Sequence, residues 1–266
     1  MKYRLLIVVP TLNSFNLIER QRDSLIKQTF KNWRVIFIDG GSKKKHISFL
    51  ENLCEYDKRF SWVPQKSKFK GIFGAMNQFT DHIFIDEFVI FWGSDDWVHS
   101  KDSFRDLFNR IDNTIIKTKK KPDIIFAKAR YLEKESLRFK REALFINRDS
   151  ILNSKQFNLY LFMGFSPPHQ ATIFSSKVLK KIKSYNEKYY LSADLDYFFR
   201  LSKVKNLFIL NLDLLFVNIL SGGVSEIKIF QRLKQVIIIY FQRYKILFLS
   251  PFILRYFRKI FSLWKI

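Results

Sequence analysis

Hydrophobic residues in the first hundred positions recur in short uninterrupted runs, and each run is followed by a polar segment. Residues 5–9, 33–38 and 88–92 form such runs, rich in Val, Ile, Leu and Phe. Runs of this kind are typical of strands buried on both faces of a parallel sheet. Residues 17–28 and 47–56 place apolar side chains at helical spacing between them. The order of strands and helices predicts an α/β fold with right-handed crossovers.

The pattern changes after residues 123–126, where shorter runs separated by turn residues predict antiparallel strands, one of them at 170–174. A further helix is predicted over residues 193–203. The length of 266 residues exceeds that of most single domains. We therefore expect one main domain over residues 1–225 and an appendage over residues 226–266.

Polar side chains stand at the ends of three predicted strands. Thr11 and Asn13 follow the first strand, and Asp39 follows the second. Asp95 and Asp96 follow the strand predicted at residues 88–92. Ligands of open α/β sheets bind beyond the carboxyl ends of the strands. We expect these side chains to face a common ligand.

Asp95 and Asp96 are adjacent carboxylates, which repel each other unless a cation holds them. Oxygen ligands suit Mn2+ or Mg2+, and a diphosphate would supply further oxygens. The alternative is that Ser94 or an aspartate caps the following helix. Asp39 has two interpretations as well, since it could accept hydrogen bonds from a nucleobase or ribose or could simply form an Asp-Gly turn.

Asp194 and Asp196 stand at the start of the helix predicted over residues 193–203. Two interpretations fit this position. One of these acids could be a general base that takes a proton from an acceptor hydroxyl, or both could simply stabilise the first turn of the helix through its dipole. His169 follows two prolines in an uncharged segment, where a buried structural histidine is the ordinary interpretation. The other three histidines, including His46, are expected to be peripheral.

The chain carries 47 Lys and Arg against 24 Asp and Glu, a formal net charge of +23. This excess favours an anionic partner such as nucleotide phosphates, acidic lipid or nucleic acid. The lone Cys54 excludes an internal disulfide, and no glycine-rich phosphate loop is present. The first apolar run is too short for a secretory signal, so we expect a cytoplasmic protein.

Residues 226–266 differ in composition from the rest of the chain. They contain nine Lys or Arg, one acid and ten aromatic residues, and basic side chains interrupt each apolar run before it reaches spanning length. No transmembrane segment is evident, and the pattern fits helices that lie in a membrane interface. The alternative is two helices packed on the main domain or on a second chain, which leaves a homo-oligomer open.

Seven segments in order resemble family 2 glycosyltransferases, the inverting, nucleotide-sugar-dependent enzymes of the GT-A fold, and especially the bacterial branch that builds surface polysaccharides. The similarity covers residues 4 to about 225 and leaves out the tail. The segments are residues 8–13 (VVPTLN), 38–42 (IDGGS), 71–77 (GIFGAMN), 94–97 (SDDW), 169–170 (HQ), 193–196 (ADLD) and 221–225 (SGGVS).

The resemblance implies a Rossmann-like mixed sheet flanked by helices and a sugar transfer from a nucleoside diphosphate, most commonly UDP, to a hydroxyl of a glycan or lipid-linked acceptor. It implies that Asp95 and Asp96 hold Mn2+ or Mg2+ and that Asp194 is the base. The donor side would comprise Thr11, Asn13, Asp39, Lys70 and Asp95, and the acceptor side His169, Gln170 and Asp196.

The chain departs from the family pattern at three positions. Gly93 stands where a strict D-x-D motif has its first acid, Gly74 replaces an aspartate, and Ala193 replaces a common glutamate. These departures leave a second possibility, an inactive scaffold with the transferase fold. A nucleic-acid-binding protein is a third, although the acidic strand ends disfavour it. We expect a transferase on the cytoplasmic face of the membrane that binds no nucleic acid.

Overall fold

A mixed β-sheet forms the centre of the computed structural model, which describes residues 5–182, 184–223 and 228–263. The predicted domain boundary at residues 225 and 226 lies outside these ranges. Within them, ten strands form one sheet in the order β3-β2-β1-β4-β9-β6-β10-β5, with β7 on β6 and β8 on β10. The strands are β1 (Leu5–Thr11), β2 (Trp33–Asp39), β3 (Phe60–Pro64), β4 (Phe88–Phe91), β5 (Trp97–Val98), β6 (Ile124–Leu132), β7 (Phe139–Ala143), β8 (Ser150–Leu152), β9 (Thr172–Ser175) and β10 (Ile209–Leu220).

The parallel half of the sheet brings the predicted polar strand ends to one edge. Strands β2 and β4 both pair with β1 in parallel, and Thr11 is the register partner of Asp39. The side chains of β1 from Leu5 to Val9 are fully buried. Full burial of an aliphatic side chain contributes about 1.5–3 kcal/mol, which fixes the register of this strand between its neighbours.

Helices cover both faces of the sheet, so alternate residues of each strand enter different cores. Leu6 and Val8 join the core under one set of helices, while Ile7 and Val9 join the core on the opposite face. The helices are α1 (Phe15–Ile26), α2 (Lys44–Tyr56), α3 (Gly71–Asn77), α4 (Ser103–Thr118), α5 (Ser154–Phe162), α6 (Ser176–Lys181), α7 (Ala193–Leu201), α8 (Ile229–Tyr244) and α9 (Leu249–Leu263). Helices α1, α2 and α4 pack on the second face, and α3, α5, α6, α7 and α8 on the first.

The second half of the chain completes the sheet with strands of both directions. Strand β9 runs antiparallel to β4 and β6, which agrees with the predicted strand at residues 170–174. Strand β10, however, is twelve residues long and parallel to β6. Its sequence changes from alternation over residues 210–214 (LNLDL) to a short continuous apolar run over residues 214–217 (LLFV), so no single period marks the whole strand, and β10 is not among the predicted elements.

The tail folds against the domain with one face and exposes the other. Val236, Ile239 and Tyr240 of α8 are buried in the same core as α7, with the Tyr240 ring centroid 5.2 Å from that of Phe199. Between α8 and α9 the helix is interrupted at Lys245, whose φ is +53°. The described residues contain one helical stretch, Ile229–Phe257, long and apolar enough to span a membrane by length and composition. A search for uncharged runs misses this stretch because isolated Lys and Arg interrupt it.

Candidate active site

Thr11, Asp39 and His46 form a buried polar cluster where β1 and β2 end. The Thr11 hydroxyl lies 3.0 Å from His46 Nε2 and 2.7 Å from the hydroxyl of Ser14. Asp39 Oδ2 accepts hydrogen bonds from the backbone N–H groups of Gly41 and Ser42, both at 2.9 Å. The Asp-Gly turn is therefore present, but it uses only one of the two carboxylate oxygens.

The second oxygen of Asp39 is buried and lies 3.6 Å from His46 Nε2, and no hydrogen-bond partner reaches it within the described residues. Burial lowers the pKa of His46, and the Asp39 carboxylate only partly opposes this, so the imidazole is neutral at pH 7. An unsatisfied buried carboxylate oxygen is costly and suits a ligand that carries N–H or O–H donors. The expectation that His46 is peripheral is wrong, because α2 turns its first-turn side chain under the loop.

Asn13 joins the loops that follow β1 and β2. Its backbone N–H donates to the Ser42 hydroxyl, and its side-chain oxygen accepts from the N–H of Lys43, both at 2.8 Å. Asn13 has a φ of +51°, a conformation that asparagine adopts more readily than most residues. Asn13 therefore holds the two loops together through hydrogen bonds.

Asp95 and Asp96 stand side by side after β4 in different surroundings. Asp96 is 1% exposed, and its Oδ2 accepts the N–H of Gly93 at 2.6 Å. Burial, and then the charge of Asp95, raises the pKa of Asp96 well above its usual range. Burial also raises the pKa of Asp95, while Lys134 lowers it. Asp95 lines the edge of a cleft of about 600 Å³ between α1 and β5. Neither acid forms a direct salt bridge within the described residues, which suits a bound cation.

Gly93 leaves no room for the first acid of a strict D-x-D motif. A Cβ at this position would lie 2.7 Å from Oδ1 of Asp95 and 3.4 Å from Oδ2 of Asp96. Any side chain would force Asp95 to rotate away. Within the described residues no group of three or more His, Cys, Asp or Glu could hold a metal ion, so a cation here would need donor oxygens besides the pair.

Lys70 and Gly74 meet the carboxylate of Glu187, a residue that the sequence does not single out. Glu187 accepts the backbone N–H of Lys70 and the side-chain amide of Asn77, both at 3.0 Å. A Cβ on Gly74 would lie 2.8 Å from the carbonyl carbon of Phe69 and 3.3 Å from the Glu187 carboxylate. Glu187 therefore places a carboxylate directly beside Gly74.

Asp194 lies half-buried in the first turn of α7 and caps no helix through its side chain. The neighbouring His169 is buried, with Nε2 2.8 Å from the hydroxyl of Tyr185. Burial lowers the pKa of His169, and the charge of Asp194 partly offsets this effect. A neutral imidazole and a carboxylate thus share one side of the site.

Gln170 and Asp196 have different surroundings from Asp194. The backbone carbonyl of Gln170 accepts the indole N–H of Trp92 at 2.8 Å, which ties the segment to β4. Asp196 accepts a hydrogen bond at 2.8 Å from Arg200, one turn further along α7. Residues two apart on a helix face in different directions, so Asp196 serves an ion pair on another face of α7 from Asp194.

Tyr131, on β6, is the register partner of Ile219 in β10, and the preceding residue of β10, Asn218, pairs with Trp97, which follows Asp96. Burial raises the pKa of Tyr131, the Arg141 guanidinium opposes it, and the carboxylates of Asp96 and Asp194 raise it further. The Arg141 guanidinium lies 3.8 Å from the centroid of the ring. No sequence motif marks Tyr131, Arg141 or Lys134, because the pairing of β6 with β7 brings them here.

Comparison with known proteins bears on the family and the fold of the chain. The chain is 27% identical over 108 residues to the glycosyltransferase GlyA of Streptococcus pneumoniae, a match that covers 41% of the chain but only 15% of that protein. The structure of S. aureus TarS 1-349 in complex with UDP-GlcNAc has a TM-score of 0.67 at 19% identity, covering 97% of this chain and 73% of that one. The mannosyltransferase PcManGT from Pyrobaculum calidifontis, in complex with GDP-Man and Mn2+, has a TM-score of 0.61 at 12% identity, with 94% and 69% covered.

These structural likenesses show the fold, a GT-A mixed sheet flanked by helices, as the sequence resemblance predicts. The sequence profile described as glycosyl transferase family 2 matches residues 6–166, more than half of the chain. That span contains β1 to β8 and both acidic strand ends. The chain belongs to glycosyl transferase family 2.

Proposed function

We propose that the protein transfers a sugar, with inversion, from a nucleoside diphosphate to a hydroxyl of a glycan or lipid-linked acceptor in surface-polysaccharide synthesis. The observation that supports this is the contact between the end of β4 and the His169 segment, because the indole N–H of Trp92 donates to the carbonyl of Gln170 at 2.8 Å and the ring of Phe91 stacks on that of His169. The loop that carries Asp95 and Asp96 follows Trp92 directly, so the proposed donor side and the proposed acceptor side meet there. A UDP-sugar is the first candidate donor because TarS binds UDP-GlcNAc.

On the donor side, Thr11, Asp39 and Lys70 are proposed to contact the nucleotide and phosphates, and Asn13 to hold the two loops together. The free oxygen of Asp39 offers an acceptor to a base or ribose donor. Asp95 and Asp96 would hold Mn2+ or Mg2+ together with diphosphate oxygens. When bound, such a cation neutralises the charge that grows on the leaving group.

On the acceptor side, Asp194 is proposed to take the proton of the acceptor hydroxyl. That oxygen forms a bond to the anomeric carbon, the bond from this carbon to the diphosphate breaks, and its electron pair leaves with the nucleoside diphosphate. His169, held neutral by burial, is proposed to line the acceptor pocket. A positioned base contributes about 10²–10⁴ in rate.

Titration calorimetry of UDP, GDP and dTDP, with and without Mn2+, tests this function. We expect one nucleotide to bind in a metal-dependent manner and Asp95→Ala to abolish that binding. Asp106→Asn, on the exposed part of α4, is the matched control and keeps it. Failure of every nucleotide to bind would instead favour the inactive scaffold.

We also propose that the outer face of the tail rests on the cytoplasmic surface of the membrane. Its apolar side chains are exposed, and three exposed lysines lie along the tail: Lys228 just before α8, Lys234 in α8 and Lys245 between the two helices. Anionic lipid complements a chain of net charge +23 better than a second copy of the same chain does. The exposed face includes Phe230, Ile237, Phe241, Ile246 and Ile253.

Co-sedimentation with vesicles tests the proposed membrane surface. The protein should bind vesicles that contain phosphatidylglycerol, and the triple variant Ile237→Ser, Phe241→Ser, Ile253→Ser should bind about tenfold more weakly or worse. Ile116→Ser, which removes an exposed side chain of α4, is the control. If the wild-type protein does not bind vesicles but sediments as a dimer, the exposed face of the tail contacts a second copy of the chain and not the membrane.

A further inference from the structure

Three glutamines lie along one side of α8, Gln235 buried and the other two at the exposed edge of the contact, and they bind three consecutive residues of the domain. Gln242 accepts from the hydroxyl of Tyr189 at 2.6 Å, and Gln231 accepts from the hydroxyl of Tyr190 at 2.7 Å. Gln235, the most buried of the three, accepts the backbone N–H of Leu191 at 3.0 Å. Spacings of four and seven residues keep all three side chains on one face of the helix.

These contacts fix the segment that leads directly into α7. The N–H of Ser192 bonds to the carbonyl of Tyr189, and Asp194 stands three residues beyond Leu191. The Leu191 N–H is buried and would lack an acceptor without Gln235. A buried N–H that loses its acceptor costs about 1–3 kcal/mol, so the segment would shift to find another.

The same segment is held at its other end by the donor side. Tyr185 donates its N–H to Asn77 at 2.7 Å, and Glu187 accepts the N–H of Lys70. Helix α3 and its preceding loop therefore hold the beginning of the segment, and α8 holds its end. The direction of Asp194 depends on both supports, and one of them is the tail.

We propose that Gln231, Gln235 and Gln242 are positioning residues for transfer, which makes the tail part of the machinery that aims Asp194. This inference rests on the proposed role of Asp194 as the base. A base must lie within hydrogen-bond distance of the proton it takes, and a misplacement of about 1 Å can cost about 10² in rate. The three glutamines align Asp194, whereas Val236, Ile239 and Tyr240 pack α8 against the domain.

The test compares Gln235→Met with Ile239→Val in the full-length protein. The methionine keeps the size of the side chain but removes the acceptor, and the valine removes packing from the same helix without touching a hydrogen bond. We expect Gln235→Met to raise amide hydrogen exchange about tenfold across residues 189–196 and Ile239→Val to leave it close to wild type, at similar losses of Tm. Gln235→Glu, which retains an acceptor oxygen, should restore much of the protection.

Turnover supplies a second readout, measured as UDP released from UDP-GlcNAc with water as the acceptor. Gln235→Met should lower kcat at least tenfold with an unchanged KM for the donor, while Ile239→Val keeps kcat. Unchanged exchange in residues 189–196 of Gln235→Met, or equal losses of kcat in both variants, would overturn the inference. A wild-type protein that releases no UDP would count against the proposed donor and not against the glutamines, and kcat would then be compared with the sugar donor of the nucleotide that calorimetry identifies.

Discussion

The proposed donor side and the proposed base side of the site are built in contrasting ways. Thr11 and Asp39 end two buried parallel strands that are register neighbours, Asp95 follows a third, and Asn13 joins the first two loops. Asp194 depends on groups distant in the chain, because His169, Tyr185 and the glutamines of α8 surround its segment. The first side is a property of the sheet, and the second is an assembly of loops and the tail.

The largest expected effect breaks the base side alone. Asp194→Asn should lower kcat by about 10²–10⁴ because the amide cannot accept the proton, while the donor nucleotide binds as in wild type. Steady-state kinetics and calorimetry on the same preparation measure both quantities, with Asp106→Asn as the control. Full activity in the asparagine variant would remove Asp194 from the mechanism.

The next effect separates the tail from the sheet. Gly164 has a φ of +85°, and a Cβ there would lie 2.5 Å from the Cα of Arg255 in α9. Gly164→Ala should therefore lower the free energy of unfolding by about 2 kcal/mol and the Tm by about 5 °C. Gly222→Ala is the matched control, since Gly222 also has a positive φ, +94°, and within the described residues nothing lies within 4 Å of its Cβ. Nucleotide binding should survive, and its loss would show that the two sides are not independent.

A smaller effect acts on the donor side alone. Gly93→Ala places a methyl group against Oδ1 of Asp95, a flexible group that can rotate away. The fold should tolerate this change with little loss of Tm, while metal-dependent nucleotide affinity falls about tenfold, or 1.4 kcal/mol. Calorimetry and thermal unfolding check the two expectations together. Unchanged affinity would mean that the orientation of Asp95 does not matter for the nucleotide.

The smallest effect is on stability and depends on pH. Because the pKa of Asp96 is higher in the folded than in the unfolded chain, folding retains a proton, and stability falls as the pH rises from about 3.8 through the folded pKa. Asp96→Asn should therefore raise the Tm by about 2 °C at pH 7 without metal, and the gain should vanish below pH 4. Thermal unfolding across this range is the measurement, and a gain that grows toward low pH would contradict the explanation.

Most residues of the proposed donor side can be predicted from the sequence, but few of those around Asp194 can. Continuous apolar runs predict β1, β2 and β4. Parallel strands end at the same edge of a sheet, so the sequence also predicts that Thr11, Asp39 and Asp95 lie at that edge. The sequence does not predict the positions of His46 and Glu187 in the site, because a single polar residue on a helix or in a loop has no periodic signal. Their roles depend on which distant backbone folds over them.

Strand β10 and the hairpin of β6 with β7 show the same limit. Polar residues at Asn211 and Asn218 break the hydrophobic run of β10, although both are buried in the sheet. Burial there depends on partners elsewhere in the fold, such as the carbonyls of Ile146 and Arg148 that accept from Asn211. Local composition carries no record of such partners, and Tyr131 is unmarked for the same reason.

The two faces of α8 have a practical consequence for protein production. Trimming the hydrophobic tail to obtain a detergent-free enzyme would uncover Phe199 and the rest of the α7 surface that Val236, Ile239 and Tyr240 cover, and so promote aggregation. Replacing outward side chains such as Phe230 and Phe241 with polar ones keeps that cover intact. A shorter chain would be less soluble than a full-length chain with a polar outer face.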